Sequence, residues 1–318
     1  MVDADFELLI PAIERHVPIL LVAAPYMRRF LRPRRVVFVA SKSCIESLHR
    51  NGVVSPKDAT IDEDEVSRGL SLGLVREMLR NRGFDPARGG WYFKQIANLA
   101  YAKRPDAGER YLVWDADTIP LRETAFIDSE GRTILERKTE YNAAYFRTME
   151  RLLGIERQVE YSYIAEHMMF DRDIVRALID TAMRGEPFDG DAFARRVIVA
   201  ISDADLLTYC GFAEYETYGN FAKFRFPERI AVRDSPSTRE ALNFFKWPIK
   251  GAQLFAMSRK YAWVTFEAWT ISSVSLPSRM KLAFRRILGF LWTLAAAILH
   301  PFSCARFVGL GRPSRESD

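Results

Sequence analysis

Apolar positions in the first half of the chain fall into two patterns: short continuous apolar runs, and longer stretches with an apolar residue every three or four positions. Phe6-Glu7-Leu8-Leu9-Ile10 predicts a first strand ending at Pro11, and Val17 to Phe30 predicts a largely apolar helix that carries Pro18 and Pro25. Arg35-Val36-Val37-Phe38-Val39-Ala40 predicts a second buried strand closing at Ser41. Val66, Leu70, Leu74 and Met78 recur every four residues, the spacing of a helical face, with Gly83 expected to end that helix. Phe93, Ile96, Ala97 and Ala100 keep the spacing of another helix, which begins after Gly89-Gly90 and leads into the strand Tyr111-Leu112-Val113-Trp114.

This alternation predicts an α/β fold with a mostly parallel central sheet flanked by helices. Pro11, Ser41 and Asp115-Ala116-Asp117 then fall at strand carboxyl ends, where open parallel sheets bind their ligands. Past residue 120 the pattern is irregular, with a charged stretch at Arg132–Glu140, a strand-like Tyr161–Phe170 and a helix from about Asp171 to Arg184. There is neither an internal repeat nor a low-complexity linker.

Composition narrows the function classes. At 318 residues with 48% hydrophobic content the chain has enough apolar side chains for a sizeable core. The net charge of +5 is modest and both signs are interspersed, so nucleic-acid binding is not called for, whereas an anionic substrate or an anionic membrane surface is compatible. Cys44, Cys210 and Cys304 are scattered without paired spacing, so neither a disulfide framework nor a zinc knuckle is indicated, and a reducing, cytoplasmic setting fits best. Met1-Val2-Asp3-Ala4-Asp5 carries acid where an export signal would carry base.

The stretch Tyr111-Leu112-Val113-Trp114-Asp115-Ala116-Asp117-Thr118-Ile119-Pro120 concentrates the candidate chemistry. An apolar strand fixes the backbone, and two carboxylates one residue apart can reach one hard cation, Mn²⁺ or Mg²⁺, which can neutralise a diphosphate. Glu166 and His167 sit side by side in an apolar run, so on a strand one faces the site and the other the opposite layer; both are candidates, His167 as a metal ligand and Glu166 as a catalytic carboxylate. Glu214 and Glu216 share one face if extended and lie among Tyr215, Tyr218 and Phe221, a setting for a carboxylate base beside sugar-stacking rings. Ser202-Asp203-Ala204-Asp205 is a second Asp-x-Asp, but Ser-x-x-Asp before Leu206-Leu207 reads as a helix cap.

Strand order and an Asp-x-Asp about a hundred residues in resemble the GT-A glycosyltransferases. More narrowly, Gly90-Trp91-Tyr92-Phe93-Lys94-Gln95, Trp114-Asp115-Ala116-Asp117-Thr118-Ile119-Pro120-Leu121, Ala165-Glu166-His167-Met168-Met169-Phe170 and Glu214-Tyr215-Glu216-Thr217-Tyr218-Gly219-Asn220 look like a bacterial family of uncharacterised, glycosyltransferase-like proteins, over roughly residues 5 to 265. The resemblance implies a GT-A-like (Rossmann-like) catalytic domain over residues 1–275, with 1–120 holding a nucleotide-sugar donor and 121–275 a saccharide or lipid-linked acceptor. It implies Asp117 as direct metal ligand, Asp115 on the ribose or a metal-bound water, Lys94 on a phosphate, Gln95 on a ribose or sugar hydroxyl, and Pro11, Ser41 and Trp114 as further donor contacts. Glu214 or Glu216 would be the base if the reaction inverts. The implied setting is synthesis of a cell-surface polysaccharide or glycolipid.

Two other functions compete with this one. Val113-Trp114-Asp115-Ala116-Asp117 also approximates the opening motif of haloacid-dehalogenase-type phosphatases, with Asp115 as nucleophile, although that family places the motif at the start of its domain and adds a late acidic pair that is missing here. A degenerate transferase fold serving only to bind carbohydrate or to assemble is the non-catalytic reading. Finally, residues 276–318 form a C-terminal helical appendage. The uncharged run Ile287–Leu299, preceded by Arg279, Lys281, Arg285 and Arg286, is too short to span a bilayer. It either lies on the inner face of the cell membrane through 279–300 or packs on the domain as a core helix.

Overall fold

The computed structural model describes residues 4–207, 210–267 and 276–310. Strands β1 (Ala4–Pro11), β2 (Pro33–Ala40) and β3 (Ala59–Asp62) alternate with helices α1 (Val17–Leu31) and α2 (Lys42–Arg50). Helices α3 (Leu72–Asn81) and α4 (Gly89–Ala100) then lead into β4 (Arg110–Trp114) and the short β5 (Thr118–Pro120). The second half holds β6 (Thr133–Glu136), α5 (Ala143–Leu153), β7 (His167–Asp171), α6 (Arg172–Met183), α7 (Gly190–Ala200), α8 (Asp203–Leu207), α9 (Glu214–Arg225), β8 (Ile230–Arg233) and β9 (Ser237–Thr238). It closes with α10 (Ala241–Phe244), α11 (Gly251–Ser258), β10 (Trp263–Thr265), α12 (Leu276–Leu299) and α13 (Pro301–Gly309).

The central sheet runs β3-β2-β1-β4-β7, with β3, β2, β1 and β4 parallel and β7 antiparallel to β4. Alternate residues of each strand feed opposite layers: Leu9, Val37 and Val113 pack under α3, α4, α6, α7 and α9, while Leu8, Phe38 and Leu112 pack against α1, α11 and α13. Both faces are covered, which is why these strands read as continuous apolar runs. The exception, Glu7, is fully buried but accepts hydrogen bonds from Arg34, Arg35, Tyr101 and the Gly108 N–H, so its charge is paired on every side. A three-stranded sheet β5-β10-β9 and a parallel pair β6-β8 flank this core.

Several predicted elements have different bounds. The helix predicted from Val66 begins only at Leu72, where Ser71 Oγ accepts the Leu74 N–H (3.2 Å); Val66 and Leu70 are buried, but in a turn. Strand β3 and helix α2 are elements that the sequence reading did not name, and Ser41 caps α2 through the Cys44 N–H. Of the strand-like 161–170, only His167–Asp171 is a strand; the preceding segment is a loop bridged to Lys138. Ser202 Oγ accepts the Asp205 N–H at 3.2 Å and Asp205 is paired with Arg147 and Arg151, so the second Asp-x-Asp is the helix cap its spacing predicts.

Candidate active site

From β1 the chain builds outward through β2 to β3 and then returns to the other side of β1 with β4, so the connections leaving β1 and β4 diverge. That divergence opens a crevice at their carboxyl ends. A cleft of about 710 Å³ lies there, and Pro11, Ser41, Lys94, Asp115 and Asp117 line it together with Arg15, His16, Glu63, Arg76, Trp91, Asn98 and Glu267.

Backbone bonds fix the carboxylates before any ligand arrives. The Asp115 N–H donates to the Glu166 carbonyl at 3.0 Å, extending the β4–β7 ladder by one residue. Its own carbonyl accepts the Thr118 N–H at 3.0 Å, closing a tight turn that carries Ala116 and Asp117. The Asp117 carbonyl accepts the Phe266 N–H at 3.0 Å, because β10 runs antiparallel to β5, and the next residue, Glu267, is thereby delivered to the cleft wall. From α4, Lys94 Nζ donates to Asp115 Oδ1 at 2.5 Å.

Charge in this cluster is unbalanced. Burial, then repulsion from Asp115, pushes Asp117 up to about 6 against the pull of Lys94. Burial pushes Glu267 up to about 7, with Asp117 and Asp115 adding to it and Arg239, 3.9 Å away, opposing. Burial works against the charge on Lys94, but Asp115 and Glu214 outweigh it and the ammonium is held above its usual value. His16 goes the other way, down to about 4, through burial and the nearby Arg15 and Lys94, so it is neutral at pH 7.

Glu214 is the first residue of α9 and is buried behind Lys94. Its Oε1 accepts Asn98 Nδ2 at 3.0 Å, and burial raises it to about 7. It does not itself line the cleft. The neighbouring Tyr215 is buried, and its hydroxyl has no hydrogen-bond partner among the described residues, although Asp115, Glu214 and Glu166 all act on it electrostatically.

The structure moves five other candidates away from the cleft. Gln95 is buried with its Oε1 accepting the Glu214 N–H at 3.1 Å, so it caps α9 and does not reach for a sugar hydroxyl. Trp114 points into the opposite layer, where its indole donates to the Thr118 carbonyl and packs beside Trp263. His167, its partner on β7, stacks on the Trp114 ring at 4.9 Å and 15°, enclosed by Phe126 and Trp263; burial holds it well below its usual value, and it faces away from Asp117. Glu166 takes the other side, as alternation requires, but Arg239 (2.9 Å) and the Trp263 indole (2.8 Å) occupy its two oxygens and outweigh burial to keep it ionised. Glu216 lies on a helix, so Glu214 and Glu216 point apart; its carboxylate accepts from Ser162 and the Tyr163 N–H and ties α9 to the 161–164 loop.

The donor set fits a hard divalent cation. Among the described residues no three His, Cys, Asp or Glu side chains close on one point tightly enough to hold an ion unaided. A magnesium-like ion, however, takes only one or two carboxylates, its remaining positions going to water and substrate phosphate. Asp115 and Asp117 offer those oxygens, and the raised values of Asp117 and Glu267 mark a pocket short of positive charge.

Sequence reasoning missed Glu267, Arg239, Asn98 and the basic residues Arg15 and Arg76. Glu267 carried a usable signal, a carboxylate directly after the largely apolar run Trp263-Val264-Thr265-Phe266. The others belong to helices and loops whose proximity only packing creates.

No protein-family model matches the chain, and no curated protein does. Among solved structures it is similar to apo mouse xyloside xylosyltransferase 1, with a TM-score of 0.45 and 12% identity over 85% of this chain and 100% of that one. It is also similar to core-mannan synthase A from Aspergillus fumigatus in its Mn/GDP form, with a TM-score of 0.44 and 9% identity over 72% of each chain. A third is the galactosyltransferase LgtC in complex with donor and acceptor sugar analogs, with a TM-score of 0.35 and 9% identity over 87% of this chain and 100% of that one. The α/β fold with a mostly parallel central sheet flanked by helices, expected from the sequence, is the fold observed. Likeness at this level carries no residue role or reaction to this chain, and the likeness to a bacterial family stays one of motifs.

Proposed function

We propose that the chain is a glycosyltransferase that moves a sugar, a hexose in this reading, from a nucleotide-sugar donor to a hydroxyl of a saccharide or lipid-linked acceptor, in making a cell-surface polysaccharide or glycolipid. The observation that carries this reading is the Asp115–Asp117 turn at the switch point of the sheet, facing a cleft with Lys94 on its wall.

In this reading Asp115 and Asp117 hold Mn²⁺ or Mg²⁺, which when bound offsets negative charge on the departing diphosphate. Lys94 and Arg15 add fixed positive charge around the same phosphates. Glu267, on the wall and close to neutral in its titration, accepts the proton of the acceptor hydroxyl as that oxygen bonds to the sugar carbon and the diphosphate leaves. Glu214 acts one layer back, holding Lys94 in its charged form.

Thermal-shift measurements with UDP-, GDP-, CDP- and ADP-sugars, with and without Mn²⁺, test the reading directly. Stabilisation by one nucleotide class that depends on the metal, with slow release of free sugar in water, is the expected result. Absence of any nucleotide-dependent shift in the presence of metal would remove the proposal.

A further inference from the structure

Helix α12 continues well beyond its uncharged run, and α13 follows after a bend of 109°. One face of the pair is part of the domain. Gly289 approaches so closely that a Cβ there would stand 2.8 Å from the Phe244 carbonyl oxygen, Trp292 packs on Phe244 and Tyr261, and the Phe307 ring stacks on Phe30 at 5.8 Å. The other face is bare. Phe284, Ile287, Leu291, Leu294 and Ile298 follow one another at three- and four-residue steps along one side of α12, and Phe302 on α13 extends the strip; Ile298 is 67% and Phe302 89% exposed. An exposed apolar strip of this length marks a contact surface.

Charge identifies what covers it. Residues 276–310 contain neither aspartate nor glutamate, while Arg285, Arg286 and Arg306 are present, and Lys260 stands over the Tyr261 ring beside Trp292. Arg279 and Lys281 belong to the same helix, although their side chains lie outside the described ones. Among the described residues no single helix is long and apolar enough to cross a membrane, and the bent pair passes that test only by length and composition. Anchored on one face, apolar on the other and basic without any acid, the pair has the design of a segment lying in the plane of a bilayer interface.

We propose that the exposed side of α12–α13 rests on an anionic lipid bilayer. This stands whether or not the cleft binds a nucleotide sugar. It also orients the molecule: Arg285 is paired with Glu240, the neighbour of Arg239, which bonds Glu166 and reaches toward Glu267 on the cleft wall. The lipid-facing layer is thus joined through two adjacent residues to the side of the site where an acceptor carried in the bilayer would arrive.

The full chain is sedimented with vesicles of phosphatidylcholine alone and of phosphatidylcholine mixed with phosphatidylglycerol, at low and high salt. Strong salt-sensitive binding to the mixed vesicles and weaker binding to the neutral ones is expected. The variant Ile287→Ser/Leu291→Ser/Ile298→Ser, checked by circular dichroism for native helix content, should partition about tenfold less or worse. Arg286→Glu should lose binding to the mixed vesicles alone. Vesicle binding unchanged in the triple variant overturns the proposal, and so does no binding to either vesicle. A stable lipid-free dimer that the triple variant converts to monomer, seen by light scattering, would instead assign the strip to a second copy of the chain.

Discussion

Asp117 lies two positions beyond Asp115 and differs from it by one partner. Lys94 neutralises Asp115, whereas Asp117 faces two other carboxylates and is pushed up to about 6 by burial and by Asp115. Asp117→Asn should therefore abolish the metal-dependent part of any nucleotide-induced thermal shift while leaving the metal-free protein at least as stable at pH 7.5; an unchanged metal-dependent shift would move the ion elsewhere. Glu267→Gln should lower turnover on the order of a hundredfold with little change in donor affinity, the loss typical of a missing proton acceptor. Equal loss of donor affinity in calorimetry would make Glu267 a ligand of the metal instead. At this scale Pro11, Ser41, Asp115 and Asp117 were legible because a strand end is a local feature, whereas Lys94, on α4, was named only by the resemblance. Glu166 and His167, read as candidates from their place in an apolar run, are both held off the cleft by partners distant in sequence: Arg239 and the Trp263 indole bind Glu166, and the Trp114 and Trp263 rings enclose His167.

Helix α9 shows why an element can be misread while its importance is seen. Residues 214–222 are buried on all sides, so no polar stripe breaks the aromatic-rich run, and it carries no helical period. Its position is fixed by contacts of shape: a Cβ on Gly219 would fall 2.3 Å from the Tyr163 ring. Gly219→Ala should consequently cost about 1–3 kcal/mol in urea unfolding, despite the better helix propensity of alanine. A neutral or stabilising result would mean that the 161–164 loop yields to the methyl group. The same reasoning explains the late start of α3, where burial of Val66 and Leu70 imitates a helical period that the Ser71 cap then excludes.

Across the whole molecule the site stores electrostatic strain, and its sign is fixed. Glu214 and Glu267 titrate at about 7 in the folded chain and Asp117 at about 6, whereas unfolded carboxyls titrate near about 4. Between these values the folded state holds more protons than the unfolded one, so the stability these groups contribute is complete below about pH 4 and is lost as pH rises through 6 to 7. Glu214→Gln should then be more stable than the parent at pH 8, by on the order of 2 kcal/mol, with the difference vanishing near pH 4 in thermal or urea unfolding. No gain at pH 8 would mean that Lys94 and Asn98 already compensate the buried charge in full. Mn²⁺ should raise the melting temperature more at pH 8 than at pH 5, since ligand carboxylates must be ionised to bind it.

The sequence alone determined the alternating strands and helices, the parallel-rich sheet they imply, and the placing of two carboxylates on a strand end, since each is written in a local period or a run of neighbours. Tertiary structure decided which charges meet. The bond from Phe266 to the Asp117 carbonyl joins residues about 150 positions apart and brings Glu267 to the cleft, and the sheet order sets Lys94 on one side of Asp115 and Trp114 with His167 on the other. No local pattern encodes such a pairing, because it is fixed only when strands distant in sequence bury their apolar faces against one another.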